Sequence, residues 1–279
     1  MELTKPRILT MVLVMTALGY VLGGLGLHSP SGLLFVLLGA GMTCGGAGAL
    51  NHFLERDVDR LMNRTRNRPI PSGVVPANHA FLLGVYLVLF GVILLIWKIN
   101  LTTAFLALLT AFLYAVVYTP MKRLTWLNTF VGAIPGALPP MGGWAAATGR
   151  VEAGAWALFA ILFIWQIPHF YAIAWIHRED YERGGFKMLP SVDPTGSRTM
   201  MQSILFASVL IPVSLLPMWL GISSWVYGIG AFALGLGMLW SCIYFARTRS
   251  VVDARRVLRA SIIYLPLLFV LILVDFGLR

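Results

Sequence analysis

Long apolar runs alternate with short polar segments along almost the whole chain. A membrane-spanning helix needs about 20 consecutive apolar residues, and nine runs approach that length. They cover roughly residues 8–27, 33–54, 79–97, 101–118, 126–147, 153–176, 200–220, 224–246 and 259–277. The pattern predicts an all-α integral membrane protein with about nine transmembrane helices, organised as one polytopic domain over residues 1–279.

Composition agrees with a membrane protein. The chain is 58% hydrophobic and only 11% charged, with a mean hydropathy of +0.82, which excludes an ordinary soluble domain. A net charge of +10 would suit nucleic acid, but the basic residues are confined to short segments between apolar runs, so we expect no nucleic-acid partner. Cys44 and Cys242 lie inside apolar runs, which argues against a disulfide framework or a cysteine-ligated metal.

Basic residues are divided unequally between the two sides of the predicted bundle. Three of the 21 fall on one side, namely Lys98, Arg150 and Arg279. The other 18 fall on the side that holds the N-terminus and the segments 55–78, 119–125, 177–199 and 247–259. The positive-inside rule then places the N-terminus and these segments in the cytoplasm. We expect a multi-pass protein of the bacterial inner membrane whose polar segments face the cytoplasm.

The most unusual polar segment is residues 51–73, N-H-F-L-E-R-D-V-D-R-L-M-N-R-T-R-N-R-P-I-P-S-G, at the end of the second run. Asn51, Glu55 and Asp59 are spaced i, i+4 and i+8, so a continued helix places them on one face, while Asp57 points away. Such oxygen ligands suit Mg²⁺ together with substrate phosphates. Guanidinium groups suit phosphate oxygens, and four follow: Arg60, Arg64, Arg66 and Arg68. The alternative is a basic topology signal in which acids and bases simply pair.

A second polar segment follows the sixth run, within residues 165–190. It contains His177, Glu179, Asp180 and Glu182. These residues are predicted at the same membrane depth and side as the first column, and carboxylates from two helices can share Mg²⁺ through a bridging diphosphate. Gly184 and Gly185 end the helix, which places Lys187 where it could meet an anion. The alternative is an ordinary charged helix end.

Two further features could contact a substrate. Tyr118, Lys122 and Arg123 lie at a third helix end on the same side, where basic groups and a tyrosine hydroxyl could bind a diphosphate. His169 lies inside the sixth run, and an ionisable group within the membrane is a functional candidate. We hypothesise that His169 helps to place a substrate within the bundle; a hydrogen-bonded structural histidine is the alternative.

These residues carry a family resemblance. The pattern N-x-x-x-E-x-x-x-D followed by R-T-R-N-R-P-I-P-S-G resembles the first signature of the UbiA superfamily of membrane prenyltransferases, and residues 177–190 resemble its second. Many aromatic prenyltransferases of the superfamily have aspartates where His52 and Glu55 stand. That departure resembles the branch of the superfamily that farnesylates heme. Two further stretches share the resemblance, H-R-E-D-Y-E-R-G-G-F-K-M-L-P and Y-T-P-M-K-R-L-T.

The resemblance implies a UbiA-type helical bundle and a Mg²⁺-dependent reaction of farnesyl diphosphate with heme b, which gives heme O and diphosphate. It implies a metal and catalytic set of Asn51, Glu55, Asp59 and Asp180. It also implies a substrate-binding set of Arg64, Arg68, Tyr118, Lys122, Arg123, Glu179 and Lys187. To this set we add His169, which we hypothesise helps to place heme. A heme A synthase or a terminal oxidase assembly complex would be a partner through the family.

Two other functions remain open. One is a UbiA-type prenyltransferase that acts on a quinone or chlorin precursor, against which Glu55 and residues 177–190 argue. The other is a transporter, which would suit nine spans with interrupted helices. However, the charged groups cluster at helix ends and not at the centre of the bilayer, where a transporter binds its substrate.

Overall fold

Nine long helices form the computed structural model, which describes residues 2–27 and 29–278. Arg279 of the charge count therefore lies outside the described residues. The helices are α1 (Pro6–Gly23), α2 (Pro30–Asp59), α3 (Ala77–Lys98), α4 (Leu101–Phe112), α5 (Asn128–Thr148), α6 (Ala153–Ile176), α7 (Ser197–Ser214), α8 (Trp225–Thr248) and α9 (Val251–Gly277). No strand occurs within those two ranges. The predicted all-α membrane fold with about nine long helices is confirmed.

Eight of these helices, with their short extensions, are long and apolar enough to cross a membrane. The remaining long helix is α5, which is rich in glycine and proline and packs against α1, α4 and α6. Helix α4 continues through a π-helical turn, Leu113–Tyr118, into Thr119–Met121. Many large apolar side chains are exposed on the outer faces of the helices, as expected for contact with lipid.

Local hydrogen bonds explain where two of the helices begin. Ser29 caps α2 by accepting a hydrogen bond at 3.0 Å from the amide of Gly32. Ser250 caps α9 in the same way, at 3.1 Å from the amide of Asp253. Helix α9 therefore begins at Val251, eight residues before the start that hydropathy predicts. Arginines in its first turns hide that start from hydropathy, because they interrupt the apolar pattern.

Small residues allow the closest helix pairs to form. A Cβ atom at Gly46 in α2 would lie 2.7 Å from the Gly84 carbonyl oxygen of α3. A Cβ atom at Gly143 in α5 would lie 1.9 Å from the Thr16 carbonyl oxygen of α1. Neither distance is sterically possible, so glycine is required at both positions for these backbones to approach.

The polar segments meet at one end of the bundle. The backbone amide of Lys187 donates to the carbonyl oxygen of Lys122 at 2.7 Å. The side-chain amide of Asn128, at the start of α5, donates to the carbonyl oxygen of Lys187 at 3.0 Å. The segment after α6 is thus tied to the end of α4 and the start of α5. The three helix ends that the sequence predicts on one side of the membrane are in contact there.

Candidate active site

The Asn51–Glu55–Asp59 column lies on one buried face near the end of α2. Helix α2 runs to Asp59 without a break, so the predicted i, i+4, i+8 alignment is present. The three residues are 0%, 5% and 0% exposed, respectively. Burying two carboxylates is costly unless cations and hydrogen-bond donors face them, so their partners define what this site can do.

Two basic residues face the carboxylates. Lys122 Nζ lies 2.7 Å from Glu55 Oε1. Arg68 Nη1 contacts both oxygens of Asp59, at 2.8 and 2.7 Å, and lies 3.8 Å from Glu55 Oε2. Thr65 stabilises the turn that returns Arg68 to the helix, because its hydroxyl donates to the Asp59 carbonyl oxygen at 3.0 Å. The arginine-rich loop thus folds back over the column.

A third cation at the column was missed by sequence reasoning. Lys5 Nζ donates to Asn51 Oδ1 and, at 2.9 Å, to the hydroxyl of Tyr114. The Asn51 amide nitrogen donates in turn to the Thr119 hydroxyl at 2.9 Å. In the sequence, Lys5 looks like a basic residue that sets membrane orientation ahead of the first span. Only its position beside the column in the fold distinguishes it from other such residues.

The pKa values of the two lysines are shifted in opposite directions. Desolvation, assisted by the nearby ammonium of Lys122, lowers the pKa of Lys5 to about 7. Desolvation also acts to lower the pKa of Lys122, but the adjacent carboxylate of Glu55 outweighs it, so the pKa of Lys122 is raised above its usual value. Lys122 therefore stays charged across the physiological range and forms a permanent ion pair with Glu55.

The π-helical turn at Leu113–Tyr118 directs two tyrosines towards the column. The Thr119 hydroxyl closes this turn by donating to the Tyr114 carbonyl oxygen at 2.9 Å. Lys122 Nζ lies over the Tyr118 ring, 4.6 Å from its centroid. Gly132 of α5 makes room for that ring, since a Cβ atom there would lie 2.5 Å from Tyr118 Cε2. A π-helical turn at a functional site is a common occurrence.

Asp180 lies beside the arginine-rich loop and binds its backbone. It is 9% exposed, and its carboxylate accepts hydrogen bonds from the amides of Asn63 and Arg64, at 3.2 and 3.3 Å. It also pairs with Arg183. Arg64 Nη2 donates to the Tyr181 hydroxyl at 3.2 Å. The two polar segments are therefore docked on each other, with Asp180 holding the loop that carries Arg68.

The other predicted site residues lie further out or deeper. Arg123, Glu179 and Lys187 have exposed side chains. His169 lies within the bundle on α6, where its Nδ1 is 2.7 Å from the Ser261 hydroxyl and its ring stacks on Trp165 at 4.9 Å. Trp165 and Ser261 thus fix the orientation of the His169 ring. A fixed ring is expected both for a heme contact and for a structural role.

The donor set fits a magnesium diphosphate. Within residues 2–27 and 29–278, no cluster of three or more His, Cys, Asp or Glu is arranged to hold a metal by itself. Two carboxylates and an amide oxygen match the usual Mg²⁺ site, in which substrate phosphates and water complete the shell. Arg68 and Lys122 pair with these two carboxylates, and the Lys5 side chain lies against the amide oxygen of Asn51. This concentration of basic side chains favours a polyanion.

Two known proteins resemble the chain over nearly its whole length. The chain is 46% identical to the protoheme IX farnesyltransferase of Solibacter usitatus over 98% of this chain and 97% of that protein. It is 47% identical to the protoheme IX farnesyltransferase of Salinibacter ruber over 98% of this chain and 96% of that protein.

Solved structures share the fold at low sequence identity. A structure described for digeranylgeranylglyceryl phosphate synthase superimposes with a TM-score of 0.84 at 17% identity, covering 100% of this chain and 97% of that chain. A UbiA homologue from Archaeoglobus fulgidus bound to DMAPP and Mg²⁺ superimposes with a TM-score of 0.66 at 15% identity, covering 98% of both chains. A model of the UbiA prenyltransferase family matches residues 12–270. The chain therefore belongs to the UbiA prenyltransferase family.

Proposed function

We propose that this prenyltransferase transfers the farnesyl group of farnesyl diphosphate to a vinyl group of heme b, with addition of water, to give heme O and diphosphate. The names of relatives at 46% and 47% identity over nearly the whole chain support these substrates. The observation that carries the proposal is the buried column of Asn51, Glu55 and Asp59 faced by Lys122 and Arg68. This arrangement suits a leaving diphosphate.

The site residues would stabilise the charge that develops as the diphosphate leaves. The C1–O bond of farnesyl diphosphate breaks, and its electron pair leaves with the diphosphate. Asn51, Glu55 and Asp59 would hold Mg²⁺, which when bound supplies a Lewis acid for the phosphate oxygens. Lys122 and Arg68 would donate hydrogen bonds to those oxygens, since charge-assisted donors to phosphate are strong and directional.

The rest of the reaction requires an apolar environment and no strong base. The vinyl π electrons form the new carbon–carbon bond to C1, and the cation left beside the pyrrole ring takes up water, which releases a proton. The apolar helices of the bundle would exclude bulk water from the allylic cation. We propose that His169, whose ring Trp165 and Ser261 orient, helps to place heme b.

Asp180 and its neighbours would complete the site. We propose that Asp180 supports the metal and diphosphate site together with Glu179, while it holds the loop of Arg64 through two backbone hydrogen bonds. Arg64, Tyr118, Arg123 and Lys187 would contribute further contacts to diphosphate.

We further propose that the site opens to the cytoplasm at the bacterial inner membrane. The charge bias between the two ends of the bundle supports this orientation. Heme O would then pass to a heme A synthase or an oxidase assembly partner.

One assay separates this activity from its alternatives. Purified protein in lipid nanodiscs is incubated with farnesyl diphosphate, Mg²⁺ and heme b, and products are identified by liquid chromatography and mass spectrometry. We expect heme O and one equivalent of diphosphate, both lost in Asp59→Asn. Prenylation of a quinone precursor without heme O would favour the other branch of the family, and no prenyl transfer to any acceptor would overturn the proposed function.

A further inference from the structure

The N-terminal segment places a lysine at the diphosphate site through an unusual backbone conformation. Lys5 follows a short 3₁₀ turn, Glu2–Thr4, and immediately precedes α1. Its φ and ψ angles are 51° and 66°, in the left-handed region that residues other than glycine rarely adopt. Residues in sparsely populated regions persist only when their surroundings hold them there, and they cluster at functional sites.

The surroundings of Lys5 do hold it. Leu3 is buried in a small cluster with Ala49, Ile70 and Ala80. Gly48 of α2 lets the segment approach, because a Cβ atom there would lie 3.1 Å from the Leu3 carbonyl oxygen. The segment before α1 is therefore packed against the same helix that carries the column, one turn from Asn51.

The side chain of Lys5 ends on residues of the site. Its ammonium donates to Asn51 Oδ1 and to the Tyr114 hydroxyl at 2.9 Å, and it lies 5.4 Å from the Tyr114 ring centroid. None of these partners is a carboxylate. Glu55 and Asp59 are already paired with Lys122 and Arg68, so the column does not need Lys5 for charge balance.

Lys5 is partly buried, and both hydrogen bonds of its ammonium among the described residues go to neutral groups. Such a cation is poorly compensated, and it gains most from an anion that enters the site. We propose that Lys5 is a further substrate-binding residue, whose ammonium donates to the oxygens of the leaving diphosphate. Its left-handed backbone is the feature that directs the side chain to them. This inference rests on the proposed function, because it assigns Lys5 to the same diphosphate.

The test uses variants that tolerate the backbone conformation of Lys5. Glycine and asparagine both adopt left-handed angles readily, so Lys5→Gly and Lys5→Asn remove the ammonium without adding strain. The matched control is Arg7→Gln, which removes an exposed positive charge two residues away, in the first turn of α1. Full-length proteins in detergent are titrated with inorganic diphosphate at fixed Mg²⁺.

Two readouts are compared: the Kd for diphosphate and the rise in Tm that saturating diphosphate causes. We expect both Lys5 variants to raise the Kd by about 10- to 100-fold, the effect of losing one charge-assisted hydrogen bond. Their Tm without diphosphate should not fall, and Arg7→Gln should stay within about twofold of the unsubstituted protein. Since bound ligand raises Tm in proportion to binding free energy, a less stable variant can still be measured.

The proposal would be overturned if either Lys5 variant bound diphosphate with a Kd within about twofold of the unsubstituted protein. It would also be overturned if saturating diphosphate raised the Tm of that variant as much as it raises the Tm of the unsubstituted protein. Glu55→Gln is titrated in parallel to separate this result from the proposed function. Binding lost in Glu55→Gln but kept in Lys5→Gly rejects only the role of Lys5. Failure of the unsubstituted protein to bind magnesium diphosphate would reject the proposed function itself.

Discussion

Replacing Glu55 by glutamine tests the central feature of the site. The substitution keeps the size and one acceptor oxygen of the side chain but removes its charge. Glu55 is 5% exposed, with Lys122 Nζ at 2.7 Å from Oε1 and Arg68 Nη1 at 3.8 Å from Oε2. The variant therefore leaves two cations facing one remaining carboxylate, Asp59.

The expected effects on stability and on turnover differ in size. Leaving a buried cation without its anion costs about 3–5 kcal/mol when the partner is truncated. Because glutamine still accepts a hydrogen bond from Lys122, we expect a smaller loss of about 1–3 kcal/mol. Turnover should fall by about 100- to 1,000-fold, as it does when an electrostatic contact to the developing charge is removed. A 100-fold fall corresponds to about 2.7 kcal/mol of transition-state stabilisation.

The assay follows heme O formation in nanodiscs over a range of Mg²⁺ concentrations, with Tm measured on the same samples. Asp57→Asn is the matched control, because its carboxylate lies on the same helix and its side chain is 73% exposed. We expect the control to retain turnover within about twofold. The metal-binding role of the column would be refuted if Glu55→Gln kept turnover within about threefold of the unsubstituted protein and showed the same dependence on Mg²⁺.

Three further substitutions follow from the site. Lys122→Met should lower kcat by about 100-fold, whereas Arg198→Met, at an exposed position with no assigned role, should have little effect; equal losses in steady-state kinetics would contradict the assignment. Asp180→Asn should loosen the 60–73 loop and lower stability by about 1–2 kcal/mol, measured by Tm and limited proteolysis, with exposed Glu182→Gln as control. His169→Ala should change the absorption spectrum of bound heme b and raise its KM; an unchanged spectrum with full turnover would remove its role.

The patterns in the sequence were sufficient for the fold and for the alignment of Asn51, Glu55 and Asp59 on one helix face. Runs of about 20 apolar residues predict the helices because a membrane imposes that length. The i, i+4, i+8 spacing predicts the column because helical geometry is local, and α2 does continue to Asp59. The start of α9 was predicted too late, since the short turn that Ser250 caps is followed at once by Arg255 and Arg256, which interrupt the apolar pattern.

Long-range contacts decided which charges meet. Arg64 and Arg68 look alike in the sequence, yet Arg68 binds Asp59 while Arg64 contacts Tyr181. Asp180 looks like a free ligand, yet it accepts two hydrogen bonds from the loop backbone. Nothing in a linear pattern distinguishes these cases, because each depends on how two loops dock.

The sequence by itself thus determined the membrane class, the helices and the acidic column, because length and helical period act within single segments. Only the tertiary structure decided that Lys5 joins the column, 46 residues along the chain from Asn51. The physical reason is the packing of α1 and α2, which brings the segment before α1 against the end of α2, where a buried amide oxygen accepts from its ammonium.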